Sequence, residues 1–167
     1  VASRGLGDVY KRQTKHSEVI FGASCWESLN RCVHANSYST VFILTDTNTG
    51  LHCLPHANAK IEFDYQTLDM QAGEENKHIQ SCISLWDSLS EMGADRRSLL
   101  INIGGGVVTD LGGFVACTFK RGIDFINIPT SLLAMVDASV GGKTGIDLGA
   151  LKNLSLIHIS EPTRRYS

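Results

Sequence analysis

Residues 104–147 read GGGVVTDLGGFVACTFKRGIDFINIPTSLLAMVDASVGGKTGID. The first three, Gly104, Gly105 and Gly106, close an apolar run, Leu99-Leu100-Ile101-Asn102-Ile103. Asp110 follows one turn on and opens a predicted helix, Asp110–Phe119, and a second apolar strand is predicted over Ile123–Ile128. The stretch ends in Pro129-Thr130-Ser131 and Gly141-Gly142-Lys143-Thr144. Strand, glycine turn, helix, strand and polar loop is the order of a nucleotide-binding α/β unit. Glycines let backbone N–H groups approach a pyrophosphate, and a helix N-terminus adds a favourable partial charge. The same glycines also suit a tight turn with no ligand, so the motif alone leaves both readings open.

The residues before this stretch extend the pattern. Glu18–Phe21 is a short strand candidate and Ala23–His34 a helix candidate. Val41-Phe42-Ile43-Leu44 is a continuous apolar run, as in a parallel strand buried on both faces. It exits through Asp46-Thr47-Asn48 into a helix running to about Ala57, and Lys60–Tyr65 reads as a further strand. Between Glu74 and Met92, Ile79, Cys82, Ile83, Leu85, Trp86, Leu89 and Met92 recur at helical spacing, with Gly93 as the stop. Strands alternating with helices predict an α/β fold, a Rossmann-like, mostly parallel sheet with helices on both faces. Ligands in such sheets lie at the carboxyl ends of the strands. Asp46-Thr47-Asn48, the three glycines and Pro129-Thr130-Ser131 all fall at those ends.

Bulk properties exclude several classes. With 167 residues, 43% apolar and 19% charged, and a net charge of −2, the chain suits one ordinary globular domain. No basic excess points to nucleic acid, and no polybasic or bilayer-length apolar run points to a membrane. Five cysteines without CxxC or zinc-finger spacing, and no secretory signal, predict free buried thiols in a reducing cytoplasm.

Several side chains can carry chemistry. Asp46, with Asn48 beside it, can accept hydrogen bonds from ribose hydroxyls at a strand end. Glu74 also reads as a first-turn acid that favours a helix N-terminus by about 0.3–1 kcal/mol. Lys143, after two glycines, offers a point charge to a phosphate or carboxylate. A P-loop is excluded, because GxxxxGK[ST] needs glycine where Asp137 stands. Arg121, in the basic turn Lys120-Arg121-Gly122, also reads as an ordinary solvated arginine. His52 and His56 are four apart, yet Pro55 lies between them and no carboxylate completes a metal set; they read as surface histidines, as does His78.

GGGVVTDLGGFVACTFKRG, IPTSLLAMVDASVGGKTGID and Leu151-Lys152-Asn153 resemble the 3-dehydroquinate synthase family, in the family's order, over roughly residues 17–153. The resemblance implies an NAD- and metal-dependent carbon–oxygen lyase of the shikimate pathway, which serves aromatic amino acid biosynthesis. The implied reaction converts 3-deoxy-D-arabino-heptulosonate 7-phosphate into 3-dehydroquinate and phosphate. It puts Asp46, Asn48, Gly105, Gly106, Val107, Asp110, Thr130, Ser131 and Leu133 along NAD, and Lys152 by the nicotinamide end. Gly73-Glu74-Glu75-Asn76-Lys77 matches the family's GExxK element, which implies Glu74 and Lys77 at the adenosine side. Lys143, Asp137 and Asn153 are implied to face the substrate, and Arg121 to reach a neighbouring subunit's phosphate across a homodimer interface. Ser131 replaces the family's usual second threonine and keeps its hydroxyl. The family's zinc or cobalt is held by a glutamate and two histidines in a helical C-terminal domain, positions this chain does not contain.

Residues 1–13, VASRGLGDVYKRQ, and 154–167, LSLIHISEPTRRYS, fit neither the family nor the middle of the chain. They resemble translated adapter sequence, which predicts an authentic domain over 14–153 and no function for Gly5-Leu6-Gly7, His158 or Arg164-Arg165. A cytoplasmic NAD-binding part without synthase activity of its own is the resulting expectation. A sister sugar-phosphate cyclase, a metal-dependent glycerol or alcohol dehydrogenase and an inactive NAD-binding fragment are the alternatives.

Overall fold

A computed structural model describes residues 10–13, 18–138, 144–148 and 151–155, with side chains over 19–136 and 144–147. In chain order, β1 (Tyr10–Gln13) pairs antiparallel with β2 (Glu18–Phe21). Then come α1 (Cys25–Asn36), β3 (Val41–Asp46), the short helices α2 (Thr47–His52) and α3 (Leu54–Asn58), and β4 (Gln66–Met70). They are followed by α4 (Ile79–Glu91), β5 (Leu99–Gly104), α5 (Gly106–Thr118) and β6 (Asp124–Pro129). Finally β7 (Gly145–Leu148) pairs antiparallel with β8 (Leu151–Ser155).

Four strands form one parallel sheet in the order β4-β3-β5-β6. Apolar runs in β3 and β5 are buried on both faces, which requires cover from helices on each side. On one face Ile43, Leu99, Ile101 and Ile103 pack with Leu29 and Val33 of α1 and Ala57 of α3. On the other, Phe42, Leu44 and Leu100 meet Cys82, Leu85 and Leu89 of α4 and Val108, Leu111 and Val115 of α5. Trp86 ties α4 to α5 by donating its indole N–H to the Val115 carbonyl at 3.3 Å. The predicted α/β sheet with helices on both faces is the fold observed. Because all four strands run the same way, Asp46, Met70, Gly104 and Pro129 share one edge.

Three local predictions need correction. The strand expected over Lys60–Tyr65 is absent; the strand beside β3 is Gln66–Met70, registered Phe42 to Gln66. Ile61, Phe63 and Tyr65 do turn inward, but instead of a ladder the Lys60 and Ile61 N–H groups donate to the Ala57 carbonyl and a side chain serves their neighbours. Asn30 donates to the Lys60 carbonyl at 2.9 Å and accepts from the Glu62 N–H at 3.2 Å. The helix predicted from Glu74 is interrupted: Glu74–Asn76 is a single 3₁₀ turn, and α4 starts at Ile79 behind an extended His78. The break frees the Lys77 carbonyl, which accepts from the Asp147 N–H at 2.7 Å. The helix to Ala57 is likewise two pieces, with Pro55 in the first turn of α3.

Candidate functional site

The helix after the glycines begins four residues earlier than predicted, at Gly106, which places its N-terminus at the sheet edge. Gly104 makes this possible. A Cβ on it would stand 2.4 Å from Cβ of Val108, so any other residue would push the helix off the strand. Gly105 is the N-cap in extended conformation, no described side chain caps it, and the first turn carries no acid. The amides of Gly106, Val107 and Val108 therefore have no partner within the helix. With about half a positive charge from the helix dipole, they suit an anionic group. A Cβ on Gly106 would meet nothing within 4 Å, so the approach is open.

The loop after β6 closes on this turn. Gly104 is in register with Pro129, and the Thr130 N–H donates to the Gly104 carbonyl at 2.9 Å. Ser131 Oγ lies 3.6 Å from where a Cβ on Gly105 would be, and it accepts from the Ala134 N–H at 3.3 Å. The predicted polar loop is thus brief. It gives way to a π-helical turn over Ala134–Ala138, ahead of which Leu132 and Leu133 are exposed.

One turn into α5, Asp110 meets a partner that the sequence did not pair with it. The Lys77 ammonium donates to Asp110 Oδ2 at 2.6 Å, and Lys77 is buried at 3% exposure. Glu74, on the exposed side, has an oxygen 4.0 Å from the same ammonium. The predicted Glu74 and Lys77 are therefore joined to Asp110 beside the glycine turn. The missed signal was the backbone break at Lys77-His78, which a continuous helical pattern conceals.

Asp46 serves first as the N-cap of α2. Its Oδ1 accepts from the Asn48 N–H at 2.9 Å, the Thr49 N–H at 2.7 Å and the Thr49 hydroxyl at 3.1 Å. Oδ2 remains for a further donor, and Asn48 is exposed beside it. A cleft of about 250 Å³ opens between β4 and α4, lined by Thr47, Asp69, Asn76, Ser81, Ser84 and Ser88 among others, none of them a predicted site residue.

Arg121 is exposed and stands apart from this cluster, before the opposite end of β6. The side chains of Asp137, Lys143, Lys152 and Asn153 lie outside the described residues. Their neighbour Thr144 is buried, its methyl 2.4 Å from where a Cβ on Gly113 would be. Gly113 is thus what seats the chain after Lys143 on α5.

Among the described residues no group of three His, Cys, Asp or Glu side chains converges to hold a metal. His52 and His56 are exposed, as predicted, while His78 is half-buried and caps α4, accepting from the Ser81 N–H at 3.3 Å. The five cysteines are free, but only Cys82 is buried and the rest are partly exposed. Burial pushes the Cys82 thiol up to about 12. Tyr38 is raised well above the ordinary phenol range, first by burial and then by its hydrogen bond to Asp124. No helix among the described residues is long and apolar enough to cross a membrane.

Comparison with known proteins agrees with this architecture. The family profile of the 3-dehydroquinate synthase N-terminal part matches residues 67–161. The 3-dehydroquinate synthase of Parabacteroides distasonis is 53% identical over 117 residues, which cover 70% of this chain and 33% of that protein. That of Endomicrobium trichonymphae is 36% identical over 146 residues, covering 86% and 40% respectively. The chain spans about a third of the length of the curated relatives it matches. Among solved structures, 2-deoxy-scyllo-inosose synthase complexed with carbaglucose-6-phosphate, NAD+ and Co2+ superposes with a TM-score of 0.74. It is 24% identical, covers 88% of this chain and 42% of its own, and shares the fold. A 2-epi-5-epi-valiolone synthase from Streptomyces hygroscopicus with NAD+ and Zn2+ bound gives 0.65 at 26% identity, over 73% of this chain and 36% of its own. The glycine turn, the Lys77–Asp110 pair and the Thr130 loop all fall within the matched stretch, and the chain belongs to the 3-dehydroquinate synthase family, in its N-terminal part.

Proposed function

We propose that the chain is the NAD-binding part of a 3-dehydroquinate synthase, whose substrate is 3-deoxy-D-arabino-heptulosonate 7-phosphate. The observation that carries this reading is the uncapped N-terminus of α5 at the carboxyl edge of a parallel sheet, with Thr130 held beside it. The chain's own residues fit a dinucleotide. Amides of Gly106 and Val107 would receive the pyrophosphate, with Gly105 allowing its approach. The hydroxyls of Thr130 and Ser131 would bond to it from the adjoining loop, and Leu133 would offer an apolar surface. Asp46 Oδ2 and Asn48 would hold ribose hydroxyls. Asp110 would be oriented by Lys77, with Glu74 at the rim. Lys152 is assigned to the nicotinamide end, and Lys143, Asp137 and Asn153 to the substrate's anionic and hydroxyl groups. When bound, NAD supplies transient oxidation of a ring hydroxyl, which acidifies the neighbouring C–H and allows phosphate to leave. A zinc or cobalt ion belongs to the full-length reaction, and no ligand for it is assigned among the described residues.

Arg121 supports a homodimer. It precedes β6 while Thr130 follows it, and six residues of strand at about 3.3 Å each separate the two by roughly 20 Å. The arginine is thus remote from its own chain's glycine turn and suited to a neighbour's phosphate. Its turn is strained, with Lys120 and Arg121 at φ 46° and 74°, a cost tolerated where presentation of a side chain matters.

The test is titration of the chain with NAD, followed by tryptophan fluorescence or calorimetry, beside a Gly106→Asp variant that places a carboxylate at the anion site. Saturable binding lost in the variant, with unfolding unchanged, is the expected result. Absence of binding at millimolar NAD, or indifference to the substitution, overturns the reading. The 167-residue chain alone is expected to release no phosphate from the substrate; steady NADH accumulation with an alcohol would favour a dehydrogenase.

A further inference from the structure

Two paired amides, one buried and one half-buried, lie below the glycine turn with no place in the function above. Asn102 of β5 and Asn127 of β6 are register partners, and Asn102 Nδ2 donates to Asn127 Oδ1 at 2.8 Å. Asn102 is wholly buried on the face covered by α5. Its Oδ1 accepts no hydrogen bond from any described residue, and it abuts α5 where a Cβ on Gly112 would stand only 2.1 Å away. A pair that leaves one acceptor unmet in a core is a poor device for stability, since an apolar pair of the same shape would fill the space without that loss.

It is a good device for register. A one-residue slip of β6 would turn its inner face outward, which the apolar pattern already forbids. A two-residue slip keeps Leu100 and Phe125 on one face of the sheet and Ile101, Ile103, Ile126 and Ile128 on the other, so the alternation of apolar residues does not forbid it. That slip would part the two amides and leave the buried Asn102 without its partner. It would also carry Thr130 and Ser131 about 6.6 Å along the strand, away from the Gly104–Gly106 turn.

We propose that the Asn102–Asn127 pair is a register lock, two positioning residues that set the Thr130–Ser131 loop against the glycine turn. This rests on the dinucleotide reading only for its consequence in binding; the lock itself is a statement about strand register.

The experiment is the double substitution Asn102→Leu with Asn127→Leu in the 167-residue chain, followed by amide hydrogen exchange at Thr130, NAD titration and thermal unfolding. Expected are an unfolding midpoint equal to or above the parent's, Thr130 exchange accelerated at least about tenfold, and NAD affinity weakened at least about tenfold, as loose positioning produces. Unchanged Thr130 exchange overturns the lock, whatever NAD does. If the parent binds no NAD, the dinucleotide reading fails and Thr130 exchange alone decides the lock. Leucine's methyls on a tetrahedral Cγ are bulkier than the planar amide and can clash with Gly112, so Asn102→Ala with Asn127→Ala is made in parallel. Loss of the fold in both double variants assigns the pair to stability and overturns the proposal.

Discussion

The Lys77 ammonium and the Asp110 carboxylate meet at 2.6 Å, although 33 residues separate them in the chain. The contact joins the 3₁₀ turn before α4 to the second turn of α5, on the rim of the glycine turn. Both partners are largely removed from water, Asp110 less so than Lys77. An ion pair in that setting adds little net stability, yet removing one member leaves the other uncompensated.

Lys77→Ala should therefore destabilise the chain by about 2–4 kcal/mol in urea unfolding, toward the lower end because Asp110 keeps some solvent contact. The effect should persist in high salt, since buried charges are poorly screened. A loss below about 0.5 kcal/mol would mean that Asp110 is served by its other interactions and that Lys77 is a surface-type charge.

Gly112→Ala should also destabilise, against the usual rule that alanine favours a helix over glycine by about 1 kcal/mol. The added Cβ would lie 2.1 Å from Asn102 Oδ1. Overpacking of this kind costs about 1–3 kcal/mol. Combining it with Asn102→Ala should recover at least about 1 kcal/mol in a double-mutant cycle. Strict additivity would show that the helix, not the amide, resists the methyl.

Asp46 divides into two roles that two substitutions separate. Asp46→Ala removes the cap on Asn48 and Thr49 and should cost about 1 kcal/mol of stability. Asp46→Asn keeps a capping oxygen, so stability should hold while NAD binding weakens. Equal NAD affinity in parent and Asp46→Asn would remove Asp46 from the ribose assignment.

Cys82 provides a pH signature. Burial raises its thiol from 9.0 to about 12, so the folded state keeps a proton that the unfolded chain loses. Its contribution is complete below pH 9.0 and fades as the pH climbs toward about 12. Stability should fall across that window, and Cys82→Ala should flatten the fall, leaving the part due to the raised Tyr38 and Cys117. At neutral pH the four partly exposed thiols should react with a thiol reagent while Cys82 waits for unfolding.

Much of the fold was legible because its main signals are local. The runs at Val41–Leu44 and Leu99–Ile103 announce strands buried on both faces, and the spacing from Ile79 to Leu89 announces α4. Lys60–Tyr65 misled because alternation reports which side chains turn inward, not whether the backbone has a ladder partner. Asn30, from a helix thirty residues earlier, took the Lys60 carbonyl and the Glu62 N–H, and the Ala57 carbonyl took the N–H groups of Lys60 and Ile61.

The sequence by itself determined the alternation of strand and helix, the glycine turn at the end of β5, and the family. Each depends on residue type and spacing along the chain. Only the tertiary structure decided that Lys77 faces Asp110, that Asn102 faces Asn127, and that Gly112 and Gly113 are seats for Asn102 and Thr144. These are contacts between segments that are distant in the chain. Close packing selects each partner by shape and by unmet hydrogen-bonding capacity, and neither is written in the local order of residues.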